Sequence, residues 1–313
     1  MPGDIFRSTR VLVSLVSLVC LIASASHAPA SRRAMLPQTD AGVIESRLHV
    51  QRTSASDLEL GGNLAGVSSG ETRYIQREDL LSLPQVTFTA RDDANFKGPT
   101  KLQGVSLGEL VRELGAPGAT FVVAICSDQY QATYPQEYIA RHKPVLVLEV
   151  NGEPPPEWPK DPFHGLDMGP YMISHPQFTP GPKVLSAREE PQIPWGVVRL
   201  EFLNEKDVFG AIAPRGPQAN DPAVQAGYKI ARMNCFRCHN MGMQGGHKSG
   251  LSWQILTAFA TGAPAKFEAY VRDPATQNPT TQMPGQDYDP ATMRALVAYY
   301  ATFARGAHAG GSQ

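Results

Sequence analysis

The chain has 313 residues, enough for two ordinary domains, and 42% of them are apolar against 18% charged, which excludes a globally disordered chain. Its 28 Lys and Arg nearly balance 29 Asp and Glu, which excludes a nucleic-acid binder held by a broad basic face. The 28 Gly and 27 Pro argue against a plain helical bundle, and the absence of any repeat of roughly 20–50 residues argues against a solenoid.

The first segment carries processing information. Arg7 and Arg10 precede an apolar run from Val11 to Ile22, and Ala23-Ser24-Ala25 offers a small-x-small cleavage site. This predicts a signal peptide over 1–25, cut near Ala25, and a periplasmic protein. The run is short for a membrane span, and no later stretch reaches the roughly 20 apolar residues that a crossing helix needs. Membrane association is expected only through an uncleaved signal or a larger complex. Cleavage removes Cys20 and leaves Cys126, Cys235 and Cys238, an odd number and a poor disulfide framework for an exported protein.

Residues 26–44 read as a leader, and 45–207 as a mixed α+β, β-rich domain with short helices. Val86 to Thr89 alternates as a strand. Ser106-Leu107-Gly108-Glu109 is a capping box that opens a helix with Leu107, Leu110, Val111 and Leu114 on one face and Gly115 as its stop. Phe121 to Cys126 and Val145 to Val150 are apolar strands, the second followed by an Asn151-Gly152 turn. Arg141-His142-Lys143 reads as a solvated basic turn. His164, Met168, Met172 and His175 offer imidazole and thioether, a copper-favouring set. Against that, Gly169-Pro170 breaks any helical face and Tyr171 to Ser174 reads as a buried strand, so packing is the preferred reading of Met172. Val198, Leu200 and Phe202 alternate with Arg199 and Glu201 as a last strand with one wet face.

Over about residues 70–207 this order of elements resembles the molybdopterin-binding fold of the sulfite-oxidase type. The matching stretches are Asp79-Leu80-Leu81-Ser82-Leu83-Pro84, Gly104-Val105-Ser106-Leu107 with Leu110, Ser127-Asp128-Gln129-Tyr130, Asn151-Gly152-Glu153-Pro154, Gly169-Pro170 and the closing strand. Where the family often has Ser-x-Asp-Gly-Tyr, this chain has Gln129 before the Tyr. The resemblance implies a cysteine thiolate on molybdenum between the Leu-Pro and Gly-Val-x-Leu segments. Pro84 to Gly104 contains no Cys, and Cys126 ends an apolar run as a buried small hydrophobe would. Molybdopterin is therefore kept only as an alternative cofactor.

Residues 208–219, with Pro214, Gly216 and Pro217, read as a linker to a domain over 220–305. Asn220-Asp221-Pro222 starts a helix that runs into Cys235-Phe236-Arg237-Cys238-His239. The C-x-x-C-H spacing marks covalent haem attachment: on one helical turn i, i+3 and i+4 share a face, so two thiols meet the vinyl groups while the imidazole points at iron. A zinc half-site would want a further ligand pair, and only His247 and His308 follow. A redox dithiol would want a βαβ context. Asp289-Pro290 opens a terminal helix with Met293, Leu296, Val297 and Tyr300 on one face.

Over about 216–313 the chain resembles class I cytochromes c, through Cys235 to His239, Gly227 eight residues before Cys235, the pair Tyr299-Tyr300, and Met283-Pro284. The resemblance implies an all-α domain with one covalent haem c on Cys235 and Cys238, and His239 and Met283 as the axial ligands. A thioether ligand raises the potential relative to bis-His ligation. Residues 246–252 lack the proline whose carbonyl commonly orients the proximal histidine, so what fixes the His239 ring is open. Met241 and Met243 lie too near His239 to reach the far haem face, and His247 reads as a surface-loop residue.

The expected function is electron transfer by an exported monohaem cytochrome with a redox partner protein. The alternatives are a molybdopterin-dependent dehydrogenase of sulfite or a similar anion that feeds its own haem, and a docking or assembly subunit of a respiratory complex. Residues 216–313 hold eight Lys and Arg against five Asp and Glu, while 26–215 hold 18 against 23. The haem-bearing end could thus dock on an acidic partner or on its own neighbour.

Overall fold

The computed structural model describes residues 47–91, 93–115, 117–162, 164–176, 185–186 and 192–304, which fall in one compact unit. The expected signal peptide and its Ala25 cleavage site lie outside the described residues. Among the described residues no helix is long and apolar enough to cross a membrane.

The first part of the chain is strand-rich. Its strands are β1 (Leu48–His49), β2 (Leu58–Gly62), β3 (Arg73–Ile75), β4 (Val86–Ala90), β5 (Thr100–Ser106), β6 (Phe121–Cys126), β7 (Gln131–Pro135), β8 (Val145–Val150), β9 (Tyr171–Ser174), β10 (Leu185–Ser186) and β11 (Trp195–Leu203). Helices α1 (Arg77–Leu81), α2 (Leu107–Leu114) and α3 (Gln136–His142) interrupt them. Beyond Leu203 the described chain is helical apart from the two-residue strands β12 (Asn240–Met241), β13 (Gln244–Gly245) and β14 (Gln286–Asp287). It holds α4 (Glu205–Phe209), α5 (Pro222–Ile230), α6 (Trp253–Gly262), α7 (Pro264–Arg272), α8 (Pro274–Gln277) and α9 (Pro290–Ala304).

One large sheet runs β1-β3-β2-β11-β9-β8-β5-β4, and β6, itself paired to β7, lies on the opposite side of β11. Strand β11 meets β9 at its start and β2 further on, and its register against β6 shifts between Val197 and Arg199. This bulge corrects one expectation: the extra residue moves Val197 into the core, where Val198 was expected, while Leu200 and Phe202 keep their inward places. Arg199 stays on the wetter face, paired with Glu59 and Glu201.

Strand β6 explains its own unbroken apolar run. Alternate side chains point to opposite faces, and both faces are covered. Val122, Ala124 and Cys126 enter a core with Leu60, Leu110, Tyr134 and Leu200. Phe121 and Val123 enter a second core with Phe209, Phe236, Trp253, Tyr299 and Tyr300. Helix α2 begins as its capping box requires, with Ser106 Oγ accepting from the Glu109 N–H at 3.0 Å, and buries Leu107, Leu110 and Leu114. Asn151 and Gly152 take φ of 56° and 89°, the left-handed pair of a tight turn.

Between β4 and β5 the loop buries a carboxyl. Asp93 accepts from Ser174 Oγ at 2.7 Å and from the Asn95 N–H at 2.9 Å. Among the described residues no cation pairs with it, and burial raises its pKa above the usual carboxylate range. A raised folded-state pKa means that stability present below the unfolded value is lost as pH rises through the folded one. Asp93→Asn is therefore expected to be more stable than the parent at pH 7, with the gap closing as pH falls toward 4. Urea midpoints at the two pH values measure this, and a less stable variant at pH 7 would sink the assignment.

Candidate functional site

Helix α5 starts on Asp221, whose side chain accepts from the N–H groups of Ala223 and Val224 at 2.8 and 3.4 Å, with Pro222 at its first position. It runs into a π-turn over Ala231–Cys235, closed by the Phe236 N–H on Ala231 O at 3.0 Å. The Cys238 and His239 N–H groups then both bond Cys235 O, at 3.2 and 3.0 Å. Cys235, Cys238 and His239 accordingly lie on one helical turn and share a face. Helix α9 crosses α5 at Gly227, where an added Cβ would lie 2.1 Å from Ala295 O and 2.7 Å from Tyr299 Cβ. Met293, Leu296, Tyr299 and Tyr300 of α9 are buried in the second core.

His239 is 7% exposed, and its Nδ1 lies 2.7 Å from Leu251 O. A carbonyl only accepts, so Nδ1 carries the hydrogen and Nε2 keeps its lone pair. Leu251 belongs to the stretch in which no proline was found, and its carbonyl fixes the ring without one. Burial lowers the imidazole pKa and keeps it neutral. Cys235 and Cys238 are free thiols, and burial pushes both up to about 11. Neither is the thiolate that a redox dithiol would need at neutral pH.

Met283 is half-buried and packs against the same core as Cys235. A run of side chains ties its loop to the attachment turn. Gln286 Nε2 donates to Pro284 O at 2.9 Å, Tyr288 Oη to Gln286 Oε1 at 2.7 Å, and Asn234 Nδ2 to Tyr288 Oη at 2.6 Å. No motif announces these three residues, yet they join the neighbour of Met283 to the residue before Cys235.

The remaining candidates are dispersed. Met243 is 91% exposed, Met241 is half-buried on β12, and His247 is exposed. The possible copper set does not converge. Met168 and Met172 pack with Trp158 and Val147, His175 Nε2 lies 2.8 Å from Tyr138 Oη, and His164 stands at the surface beside Asp161. On β9, Met172 faces one way while Tyr171 and Ile173 enter the first core. Among the described residues no three His, Cys, Asp or Glu side chains gather as a metal site. Cys126 is buried, and burial raises its thiol pKa. With Asp93 rather than a cysteine on the β4–β5 loop, the chain does not fit thiolate ligation of molybdenum.

The two residues that the C-x-x-C-H pattern leaves free, Phe236 and Arg237, face the sheet. Phe236 lies 6.1 Å between ring centroids from Phe209, which meets Phe121 of β6 edge-on at 5.6 Å. Arg237 O accepts from the Gln131 N–H at 2.9 Å, and Gln129 O from the His247 N–H at 3.0 Å. Lys248 Nζ bonds Asp128 Oδ2 at 2.6 Å. Gln129 takes φ of 67°, a left-handed conformation at the position where the resemblance has glycine. The β6–β7 turn and the attachment turn are thus in direct contact. Burial of Tyr130 at this contact raises its pKa, so its hydroxyl stays protonated.

No family model matches the chain, and no curated protein matches it. Among solved structures, the sulfane dehydrogenase SoxCD from Paracoccus pantotrophus superposes at 18% identity with a TM-score of 0.34. The match covers 55% of this chain and 45% of that one, so the chain spans less than half the length of the structure it matches.

Proposed function

We propose that the chain is an exported electron-transfer protein whose part beyond residue 220 is a monohaem cytochrome c, joined through 208–219 to an oxidoreductase-like domain over 45–207. The observation that carries this reading is the single turn that presents two thiols and an imidazole whose Nδ1 is held by Leu251 O, leaving Nε2 as the donor. Cys235 and Cys238 would hold the haem covalently, and His239 and Met283 would ligate iron. When bound, the haem supplies a one-electron couple, and the chain need only fix its potential and exclude competing ligands. The aromatic core of Phe236, Trp253, Tyr299 and Tyr300 excludes water from the attachment side. The Asn234–Tyr288–Gln286 run holds the Met283 loop in register with the attachment turn.

Met283→His is expected to lower the midpoint potential by a sizeable share of the about 0.8 V that axial ligands span, and to abolish any absorption band from an iron–thioether bond. An unchanged potential and spectrum would remove Met283 as a ligand. A second reading, a molybdopterin dehydrogenase feeding its own haem, is favoured by the clasp between the β6–β7 turn and the attachment turn and opposed by the missing thiolate. Metal content per chain separates the two. One iron and no molybdenum supports the electron carrier, with the sheet as a docking body; near-stoichiometric molybdenum overturns that reading. A periplasmic location and an external redox partner belong to the same proposal, and recovery of the chain from a periplasmic extract tests the first.

A further inference from the structure

The attachment turn carries a cation that its own chain does not neutralise. Arg237 stands between Cys235 and Cys238, is 6% exposed, and belongs to the one residue type that keeps its proton at every working pH. Its Nη1 donates to Tyr130 Oη at 3.5 Å, the long limit of a hydrogen bond, while Nε and Nη2 have no acceptor. Besides burial, the groups that act on its charge are the hydroxyls of Tyr130, Tyr134 and Tyr138, and no carboxylate among the described residues is one of them. The nearby Asp128 is taken by Lys248. Burying a guanidinium in this state costs stability that an apolar side chain would not, and it does so on the turn where the chemistry is expected. The charge also reaches the sulfurs. Burial raises the pKa of Cys235 and of Cys238, and the Arg237 charge acts on both in the opposite sense. A cation that favours negative charge on two sulfurs disfavours positive charge on the group they hold.

We propose that Arg237 raises the midpoint potential of the haem, by holding a permanent, solvent-excluded positive charge against the attachment turn that penalises the ferric state, with its one extra positive charge, relative to the ferrous state. This inference rests on the haem reading above. At an effective dielectric constant near 20, two unit charges roughly 10 Å apart shift an equilibrium about tenfold, which for one electron is about 59 mV. The covalent chemistry of haem keeps its own carboxylates away from this charge: thioethers form on the two vinyl-bearing rings, and the carboxylates hang from the other two.

The test is a redox titration of the full haem-loaded chain, with haem staining on a denaturing gel to show that each variant keeps its haem. Arg237→Gln and Arg237→Leu remove the charge with a polar and an apolar side chain, and either one that stains decides. Their potentials are expected to fall by about 59 mV, a tenfold change for one electron. Arg237→Lys keeps the charge and is expected to stay near the parent. The fall should persist at about 1 M salt, because ions that screen exposed charges do not reach a buried one. A stained Gln or Leu variant at the parent's potential overturns the inference, as does a Lys variant that falls as far as they do. So does a potential that depends on pH near neutrality only in the Gln and Leu variants, which would mean that they had released a haem carboxylate. Loss of haem from both would give Arg237 a structural role instead and overturn it too. A parent chain without covalent haem would sink the haem reading, and this inference with it.

Discussion

Replacing both Cys235 and Cys238 by alanine is expected to abolish covalently held haem altogether. The two thiols are the only ones on the attachment turn, and the third described cysteine, Cys126, is buried in the other core. Denaturing electrophoresis with haem staining reads the result: the parent band stains and the double variant does not. Each single variant should retain at most one thioether and lose most of its stain. A double variant that still carried haem through denaturation would remove the C-x-x-C-H turn from the site, and the electron-transfer proposal with it. His239→Ala complements this test. It leaves both thiols in place while removing the imidazole that Leu251 O orients, so the ligand set should fail before the attachment does.

Gly227→Ala is expected to destabilise the chain by about 3 kcal/mol, against helix propensity, which alone would favour alanine by about 1 kcal/mol. Sterics win because the new Cβ would lie 2.1 Å from Ala295 O and 2.6 Å from its carbonyl carbon. Those are backbone atoms, which no rotamer change can withdraw, so α5 and α9 must separate and unpack Tyr299 and Tyr300. Gly262→Ala is the matched control, since a Cβ there would meet nothing within 4 Å. Urea midpoints compare the two. If both substitutions stabilise alike, the close crossing does not exist in solution.

Elements with a local cause were legible. Strands β6, β8 and β9 coincide with their apolar runs, and α2 with its capping box, because burial and capping leave marks on neighbouring residues. Strands β1, β2, β3 and β7 were not read. Leu58–Gly62 ends in two glycines and Gln131–Pro135 in proline, and each alternates over only two inward apolar residues, Leu58 and Leu60 or Ala132 and Tyr134, too few to mark a strand before its neighbour pairs with it. The bulge at Val198 left no mark either, because alternation on both sides of it is intact. At the site, the Cys235, Cys238 and His239 spacing is local and therefore visible. The Leu251 carbonyl is not, because any residue supplies one. Arg237 and Tyr130 meet across 107 positions, and the attachment pattern places no constraint on the residue between its two cysteines that makes this contact.

Strand β6 is a wall common to two cores, and this binds the fates of the two parts of the chain together. If the sheet opens, Phe121 and Val123 leave the helical part, and Phe209 loses its edge-on aromatic partner. If the helical part opens, the same two side chains face water on a strand that otherwise has no wet side. Local opening is cheap only where little apolar surface is uncovered, and here neither part can yield without uncovering the other's. Adjacent residues of one strand therefore report on different halves: a cavity cut at Val122 weakens the sheet from within, while one cut at Val123 reaches the turn that carries the cysteines.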